Sequence, residues 1–451
     1  MVIPRVVVAA PSSGAGKTTV AVGLMAALRQ AGHTVAPFKV GPDYIDPGFH
    51  AVATGRPGRN LDPMLSGEER VAPLFAHGSA GADLAVVEGV MGLYDGALGT
   101  EGYSSTAHVA KLLKAPVVLV VDASAAGRSV GAVVTGFVAF DTEVRIVGVI
   151  LNKVGSDRHE AEVRAGVAPT GVPVLGVLRR DTRLTVPSRH LGLVPAGEQR
   201  EQATTAVEAA AELVRAGVDL EAFVAAARAA SPYDAEPWDP AAEVTPAEDG
   251  RPVVAVAGGP VFSFHYTETT ELLVAAGADV VVFDPLSDPL PEATAALYLG
   301  GGFPELHAEA LSANATLRRQ VATEIAAGLP VVAECAGLLY LCRELDGHPM
   351  TGVLPATGRM TSRLTLGYRT AIAATTTAFF DEGRRVRGHE FHRTAVELDG
   401  EVDPAWYLPG GVEGIALPRV HASYLHLHWT ASPDVPARFV AAARVHAGLE
   451  K

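Results

Sequence analysis

Two short motifs, far apart along the chain, carry residue types that do chemistry. Residues 11–18 read PSSGAGKT, and residues 333–337 read AECAG. Gly14 and Gly16 let backbone N–H groups turn toward phosphate oxygens, Lys17 can reach the β- and γ-phosphates, and Thr18 can hold Mg²⁺ through its hydroxyl. The second motif ends an apolar run with Cys335, as a nucleophile on a sharp strand-to-helix turn does. We therefore predict a nucleotide site and a thiol site.

Acidic residues follow two other apolar runs, in KVGPDYIDPGFH and VEGVMGLYDG. Carboxylate oxygens at strand ends suit Mg²⁺, so we predict that Asp43 and Glu88 join Thr18 around this ion, directly or through water. The alternative is that Asp43 and Asp46 only organise turns beside neighbouring prolines.

The phosphate loop is a variant, because Pro11 replaces the usual first glycine. A glycine-rich turn that merely caps a helix is the alternative. Thr19 follows the loop and joins the predicted nucleotide-binding residues. In the run ILNKV, Asn152 could donate to and accept from adenine at once, although it could instead cap a helix.

The thiol site needs oxyanion donors and a base. We predict as donors the N–H of Ala336 and an N–H from the Gly300–Phe303 turn, which contains Gly301 and Gly302. A helix N-terminus and a nearby histidine should lower the pKa of Cys335. The alternative is an inert core cysteine, which is how we interpret Cys342.

Several histidines near the end of the chain are candidate bases. Residues two apart in a strand share a face, so spacing does not choose between His426 and His428. Zinc is a competing interpretation, disfavoured because no cysteine pair accompanies the histidines. The full candidate set is His389, His392, His421, His426 and His428.

The elements around these motifs predict an α/β protein. Valine-rich runs at 6–10, 34–39, 84–88, 117–122, 146–152 and 174–177 alternate with helical patterns at 18–31, 107–114 and 129–140. Such runs indicate a buried parallel sheet covered by helices, with ligands at its carboxyl edge. A proline- and acid-rich stretch at 231–250 predicts a linker between domains at 1–230 and 251–451. Further strands are predicted at 280–283, 296–299 and 330–334.

Composition narrows the class of protein. The 451 residues are 48% hydrophobic and 19% charged, which is typical of globular domains. A net charge of −14 argues against a nucleic-acid partner, and two cysteines favour a reducing, cytoplasmic location. The apolar N-terminus predicts a core strand and no signal peptide, and no apolar run predicts a membrane span. A homodimer is compatible with the sequence.

The motifs resemble those of the cobyrinate or hydrogenobyrinate a,c-diamide synthase family of cobalamin biosynthesis. The resemblance covers essentially the whole chain, and GPDYIDP is its most specific part. It implies a P-loop domain similar to dethiobiotin synthetase and a class I glutamine amidotransferase domain. The motifs that carry it are PSSGAGKTT, KVGPDYIDPGFH, VEGVMGLYDG, LNKVGSDRH, LGGGFPELH, AECAG, RGHEFH and SYLHLH.

The resemblance implies a ligase that uses ATP, Mg²⁺ and L-glutamine to amidate the a and c acetate carboxylates of a corrinoid acid through acyl phosphates. It implies Cys335 as nucleophile and His426 as its activating histidine. The third acid of class I amidotransferases is absent, since Leu427 and His428 follow His426, so what orients His426 is open.

The resemblance also implies residues for the corrinoid acid. Asp43, Asp46 and Glu88 would serve the nucleotide, metal and carboxylate end, and Tyr44 would pack on the ring edge. Arginines are weaker candidates for the substrate carboxylates: Arg179, Arg180, Arg183, Arg384, Arg385 and Arg387. The alternatives are amidation of another tetrapyrrole acid, of the cobyric acid or nickel-sirohydrochlorin type, or a ParA/MinD-like ATPase switch with an inactive amidotransferase domain.

Overall fold

The computed structural model describes residues 3–180, 188–189, 192–193, 200–245 and 250–449. Contacts divide the chain into two compact units, Met1–Trp238 and Asp239–Lys451. The division falls within the stretch predicted as a linker. The first half of that stretch is attached to the first unit, where Trp238 is buried and its ring lies 5.1 Å from that of His77.

Seven parallel strands form the sheet of the first unit, in the order β3-β2-β4-β1-β5-β6-β7. Their valine-rich sequences are buried because helices flank both faces, as predicted for this class. The strands are β1 (Arg5–Ala9), β2 (Val35–Val40), β3 (Arg59–Leu61), β4 (Leu84–Glu88), β5 (Val117–Asp122), β6 (Ile146–Val154) and β7 (Val174–Arg179). A separate short pair follows, β8 (Ser188–Arg189) and β9 (Gly192–Leu193).

The helices of this unit connect and cover the strands. Helix α1 packs closely on α8, where a Cβ on Gly23 would lie 2.5 Å from the Ala210 carbonyl oxygen, so only glycine permits this approach. The helices are α1 (Lys17–Gln30), α2 (Asp46–Thr54), α3 (Pro63–Ser66), α4 (Glu68–Gly78), α5 (Thr106–Leu112), α6 (Ser129–Phe140), α7 (Asp157–Val167), α8 (Arg200–Gly217) and α9 (Leu220–Arg228).

The second unit has a six-stranded sheet in the order β11-β10-β12-β13-β21-β20, parallel except for its last pair. Its strands are β10 (Val253–Ala257), β11 (Asp279–Phe283), β12 (Thr294–Leu299), β13 (Val331–Glu334), β20 (Ile415–Leu417) and β21 (Val420–Ser423). The helices are α10 (Pro240–Glu243), α11 (Thr267–Ala275), α12 (Ala308–Ala313), α13 (Ala315–Ala326), α14 (Ala336–Leu341) and α15 (Asp434–His446).

A second sheet of this unit is built on a long antiparallel pair, β16 (Ala356–Ala373) and β17 (Arg385–Leu398). Both sheets therefore combine with helices in an α/β unit, and the predicted fold class is confirmed. The remaining strands of this sheet are β14 (Glu344–Leu345), β15 (His348–Pro349), β18 (Trp406–Leu408), β19 (Gly411–Glu413) and β22 (His426–Leu427). Within the described ranges, no helix has the length and apolar character needed to cross a bilayer.

Candidate functional site

The phosphate loop lies between β1 and α1, at the carboxyl edge of the first sheet. Gly14 and Gly16 have φ angles of 83° and 86°, in the left-handed region that favours glycine. Gly16 is also the residue that precedes α1, so the first N–H groups of that helix open onto the loop. This strand–loop–helix arrangement is the one that binds phosphate groups at a helix N-terminus.

Polar side chains of β6 support the loop. The Asn152 amide donates to the Ala15 carbonyl at 2.9 Å, and its oxygen accepts from the Lys153 N–H. The Lys153 ammonium donates to the Gly14 carbonyl at 2.8 Å and to the Asp122 carboxylate at 2.7 Å. Both polar atoms of the Asn152 side chain thus have partners within the protein, and its contact with a nucleotide base stays a prediction.

A buried cluster of charged groups lies beside the loop, centred on Glu88 at the end of β4. Oε1 of Glu88 accepts from the Thr18 hydroxyl at 2.6 Å and from the Lys39 ammonium at 3.0 Å. Its Oε2 lies 2.7 Å from Nε2 of His50. Burial raises the pKa of Glu88, but Lys39 and the His50 hydrogen bond outweigh burial and hold this pKa well below its usual range.

Lys39 bridges two carboxylates in this cluster. Besides Glu88, its ammonium contacts Oδ2 of Asp46, at the start of α2, and this oxygen lies 3.3 Å from the Thr18 hydroxyl. Burial lowers the pKa of Lys39, yet the surrounding carboxylates raise it overall. Burial and the neighbouring acids Asp43 and Glu88 raise the pKa of Asp46 to about 8.

Asp43 has a different role from Glu88 in this structure. Its Oδ1 accepts from the N–H groups of Ile45 and Asp46 at 2.8 and 2.9 Å, so it organises the turn before α2, as the alternative interpretation stated. Its Oδ2 lies 4.0 Å from the Lys39 ammonium. Among the described residues, no group of three or more His, Cys, Asp or Glu side chains forms a metal site.

The oxygen donors near Thr18 nevertheless suit a magnesium ion. The Thr18 hydroxyl, Oε1 of Glu88 and Oδ2 of Asp46 lie together at the phosphate loop, and hard oxygens are the donors Mg²⁺ prefers. These three groups could hold the ion beside a bound nucleotide. Asp43 as a ligand stays a prediction.

The remaining residues predicted in this unit lie around the same edge. Lys17 is 9% exposed and donates to the Met91 carbonyl at 2.9 Å. Burial, reinforced by the nearby Lys39 charge, lowers the pKa of Lys17 to about 8. Thr19 is half-buried in the first turn of α1, and Tyr44 is buried at 8% exposure.

In the second unit, Cys335 lies between β13 and α14. Its φ of 49° and ψ of −94° are sparsely populated for a residue with a side chain and cost on the order of 1–3 kcal/mol. The Cys335 N–H donates to the Ser423 carbonyl at 2.7 Å, which ties the turn to β21. This is the strained strand-to-helix turn that the sequence predicts.

Two of the predicted oxyanion donors lie beside the sulfur, whereas the Gly301 N–H is donated to the Phe264 carbonyl at 3.0 Å. The N–H groups of Gly302 and Ala336 hydrogen-bond to the Cys335 thiol and lower its pKa. Burial and the charge of Glu305 raise that pKa by more, so it lies well above its ordinary value. The expectation of a lowered thiol pKa is therefore wrong for this structure, because Cys335 is only 2% exposed.

His426 lies against the same glycine turn. A Cβ on Gly301 would lie 2.2 Å from Cε1 of His426, so the imidazole fills the space that a side chain there would need. His426 is fully buried in β22 and faces His389 across the pairing with β17. Burial, followed by the nearby His389 and His392, lowers the pKa of His426 to about 3.

The other candidate histidines have different surroundings. Nδ1 of His428 lies 2.7 Å from the Thr430 hydroxyl, and the His392 ring stacks on Tyr424 with centroids 3.7 Å apart. His421 packs between the rings of Phe380 and Trp406, at 4.6 and 4.7 Å. Of the five, the structure brings His426 against the Gly301–Gly302 turn that donates to the thiol.

Three residues near the sites were not singled out from sequence: Lys39, His50 and Glu334. Lys39 and His50 are part of the run KVGPDYIDPGFH. A lysine inside a buried strand indicates a nearby acidic partner, because burying an unpaired charge is costly. Glu334 precedes Cys335 and ends β13 with 5% exposure. A carboxylate that ends an otherwise apolar strand indicates a partner for the same reason.

Two of the candidate arginines are engaged by acids of their own unit. Arg179 donates to Asp157 and Glu160, both at 2.6 Å. Arg384 pairs with both carboxylate oxygens of Asp434. Arg183 lies outside the described residues. Contact of any of the arginines with a substrate stays a prediction.

Family comparisons cover both units. Residues 6–194 match the model of the CobQ/CobB/MinD/ParA nucleotide binding domain, and residues 253–434 match that of the CobB/CobQ-like glutamine amidotransferase domain.

Full-length relatives agree with both matches. A hydrogenobyrinate a,c-diamide synthase from Thermobifida fusca is 58% identical over 98% of this chain and 97% of its own, and one from Streptomyces coelicolor is 57% identical over 98% of both. A cobyrinate a,c-diamide synthase from Synechococcus sp. is 40% identical over 99% of both chains. The chain therefore belongs to the hydrogenobyrinate and cobyrinate a,c-diamide synthase family of glutamine-dependent, amide-forming ligases.

Proposed function

We propose that this enzyme amidates the a and c acetate carboxylates of hydrogenobyrinic acid, with ATP as the activating reagent and glutamine as the nitrogen source. The observation that most supports the proposal is the setting of Cys335, whose thiol lies beside the backbone N–H groups of Gly302 and Ala336, next to the glycine turn against which His426 packs. The phosphate loop on the same chain supports the ATP-dependent half of the proposal.

In the glutamine half-reaction, the Cys335 sulfur attacks the side-chain amide carbon of glutamine. His426 accepts the thiol proton as the C–S bond forms and delivers it to the departing nitrogen as the C–N bond breaks. Gly302 and Ala336 donate N–H groups to the oxyanion. Water then hydrolyses the thioester, which gives glutamate and restores the thiol. Because burial keeps the thiol protonated, removal of its proton by His426 is part of the attack.

In the ATP half-reaction, a substrate carboxylate oxygen attacks the γ-phosphorus and ADP departs, which leaves an acyl phosphate. Ammonia then attacks the carbonyl carbon and expels phosphate. Lys17 and the first N–H groups of α1 neutralise and orient the phosphates. A bound Mg²⁺, held by Thr18, Glu88 and Asp46, would supply further charge neutralisation there. Asp43 and Tyr44 stand at the same edge, and we propose that they face the substrate.

Hydrogenobyrinic acid is preferred to cobyrinic acid in this proposal because of the relatives. Those at 55–58% identity carry the hydrogenobyrinate name, whereas those named for cobyrinate are at 38–42%. We further propose a cytoplasmic enzyme that has no nucleic-acid or membrane partner, because both half-reactions use small, water-soluble substrates. The homodimer stays a prediction, which a mass measurement in solution tests.

The test separates the two half-reactions. The purified enzyme should hydrolyse glutamine and, with ATP and Mg²⁺, add two amides to hydrogenobyrinic acid, as read by product mass. Cys335→Ser should abolish glutamine hydrolysis but retain amidation from ammonium salt, while Cys342→Ser serves as the matched control. Lys17→Ala should instead retain glutamine hydrolysis and abolish amidation. Amidation of neither corrinoid acid by the wild-type enzyme would refute the proposal.

A further inference from the structure

Glu334 is a buried carboxyl group that the reaction described above does not use. It ends β13, directly before Cys335, and it is 5% exposed. A buried carboxyl costs free energy unless it is paired or hydrogen-bonded, so its partners indicate what it does. Two of those partners lie on β22, the strand that carries His426, and a third lies on β12.

Two contacts connect Glu334 to β22. Oε1 accepts from the Leu427 N–H at 3.3 Å, and Oε2 lies 3.8 Å from Nδ1 of His426. The first contact fixes the backbone next to the histidine, and the second faces the ring itself. A contraction of less than 1 Å would convert the second contact into a hydrogen bond, and catalytic hydrogen bonds often shorten in this way when substrate binds.

The oxygen that faces His426 has a second partner as well. The Tyr298 hydroxyl donates to Oε2 at 3.0 Å, and Tyr298 is buried in β12 beneath the Trp429 ring. Glu334 therefore has little freedom to turn away from His426. Its position is set by three strands, β12, β13 and β22, which also set the positions of Cys335 and the glycine turn.

We propose that Glu334 is the positioning residue for His426, in place of the acid that class I amidotransferases supply in the third position of their His-Pro-Glu sequence. The inference rests on the proposed roles of Cys335 and His426. An ionised Glu334 accepts from the Nδ1–H of His426, which leaves Nε2 without a proton and able to take the one from the Cys335 thiol.

The protonation state of Glu334 would then select the histidine tautomer. A protonated Glu334 donates to Nδ1, which places the ring proton on Nε2 and blocks proton transfer from the thiol. Burial raises the pKa of Glu334 to about 8, while the Leu427 and Tyr298 hydrogen bonds act in the opposite direction.

Other titratable groups near this pair are few among the described residues. His389 and His392 of β17 face His426, Glu305 and Glu334 face Cys335, and Tyr266 faces Tyr298. Glutamine hydrolysis should therefore rise with pH as Glu334 ionises. Since Tyr298 stabilises the ionised form, its removal should move that rise to higher pH.

The experiment measures glutamine hydrolysis against pH for four full-length proteins: wild type, Glu334→Gln, Glu334→Asp and Tyr298→Phe. Glu334→Gln should lower kcat at least 10-fold with KM for glutamine changed less than 3-fold, because the substrate does not touch this residue. Glu334→Asp keeps the charge and should recover part of the activity. Tyr298→Phe should move the low-pH rise in activity to higher pH.

Equal losses in Glu334→Gln and Glu334→Asp, or wild-type kcat in Glu334→Gln, would overturn the proposal. If both Glu334 variants fail to fold, the Tyr298→Phe protein still tests the proposal. A low-pH rise in activity at the same pH as in wild type would then overturn it. Rates of Cys335 alkylation, assigned separately from Cys342 by fragment masses of the peptide that contains both, supply a readout that requires no turnover. Loss of all glutamine hydrolysis in the wild type would instead count against the proposed function itself.

Discussion

Adding one methyl group at Gly301 should disable glutamine use while sparing the ATP half-reaction. The new Cβ would lie 2.2 Å from Cε1 of His426 and 3.1 Å from each ring nitrogen. An ordinary van der Waals contact begins at 3.4 Å, so the two carbons must separate by about 1 Å. The turn resists this movement because Gly301 exchanges two backbone hydrogen bonds with Phe264, both of 3.0 Å.

The imidazole must therefore leave the position in which it is proposed to serve the thiol. A misplacement of about 1 Å can cost about 100-fold in rate, so we expect Gly301→Ala to lower kcat for glutamine hydrolysis by about that factor. Amidation from ammonium salt should be unchanged, since it bypasses the thiol. The assay follows glutamate release and amide formation with each nitrogen source.

Gly410→Ala is the matched control. A Cβ on Gly410 would meet no atom within 4 Å, and its φ lies outside the left-handed region, so both activities should stay at wild-type levels. Glutamine hydrolysis by Gly301→Ala within 3-fold of wild type would refute the reasoning. Equal loss of both activities would also refute it, because the damage would then extend beyond the thiol site.

Three further variants test the buried clusters. Lys39→Met leaves Asp46 and Glu88 without their shared cation and should lower the free energy of unfolding by about 3–5 kcal/mol in urea titrations. Lys111→Met, at a partly exposed ion pair, should lower it by less than about 1 kcal/mol, and similar losses in the two variants would contradict the burial argument. Burial lowers the pKa of His421 from an ordinary 6.5 to about 3, so the unfolded chain takes up this proton before the folded chain does as the pH falls. In the wild type this costs about 2–3 kcal/mol of the free energy of unfolding between pH 7 and pH 4.5, and His421→Phe should remove that loss. An unchanged pH dependence of unfolding would contradict this. Asn152→Ala removes the hydrogen bond to Ala15 and should raise KM for ATP about 10-fold without altering glutamine hydrolysis. A change in the ratio of the activities with ATP and with GTP would instead support base recognition by Asn152.

The sequence predicts the strands of the first sheet well because their signal is local. Each is a run of buried valines followed by a loop, and β4 and β5 begin and end where the pattern places them. The long pair β16–β17 was not predicted in detail. Strand β16 has buried residues only near its two ends, and its register with β17 shifts between Met360 and Thr365. Its pairing joins segments whose partner cannot be identified from composition.

The residues of the sites were predictable where a motif fixes their role and less so where tertiary contacts do. The glycine turn and Cys335 lie together as expected, since both follow strand ends of one parallel sheet. The direction of the Cys335 pKa shift was not predictable, because the extent of burial and the charge of Glu305 depend on the folded chain. The contacts of Glu334 could not be predicted from the sequence because its partners, Tyr298 and Leu427, are distant along the chain.

The contacts of Lys153 and Asn152 with the phosphate loop have a consequence for nucleotide affinity. Two carbonyls of the loop, those of Gly14 and Ala15, are already bonded to side chains of β6. The loop is thus organised before ATP arrives, and little conformational entropy remains to be lost when phosphate enters. The binding energy of ATP is then available for orienting the γ-phosphoryl group for transfer.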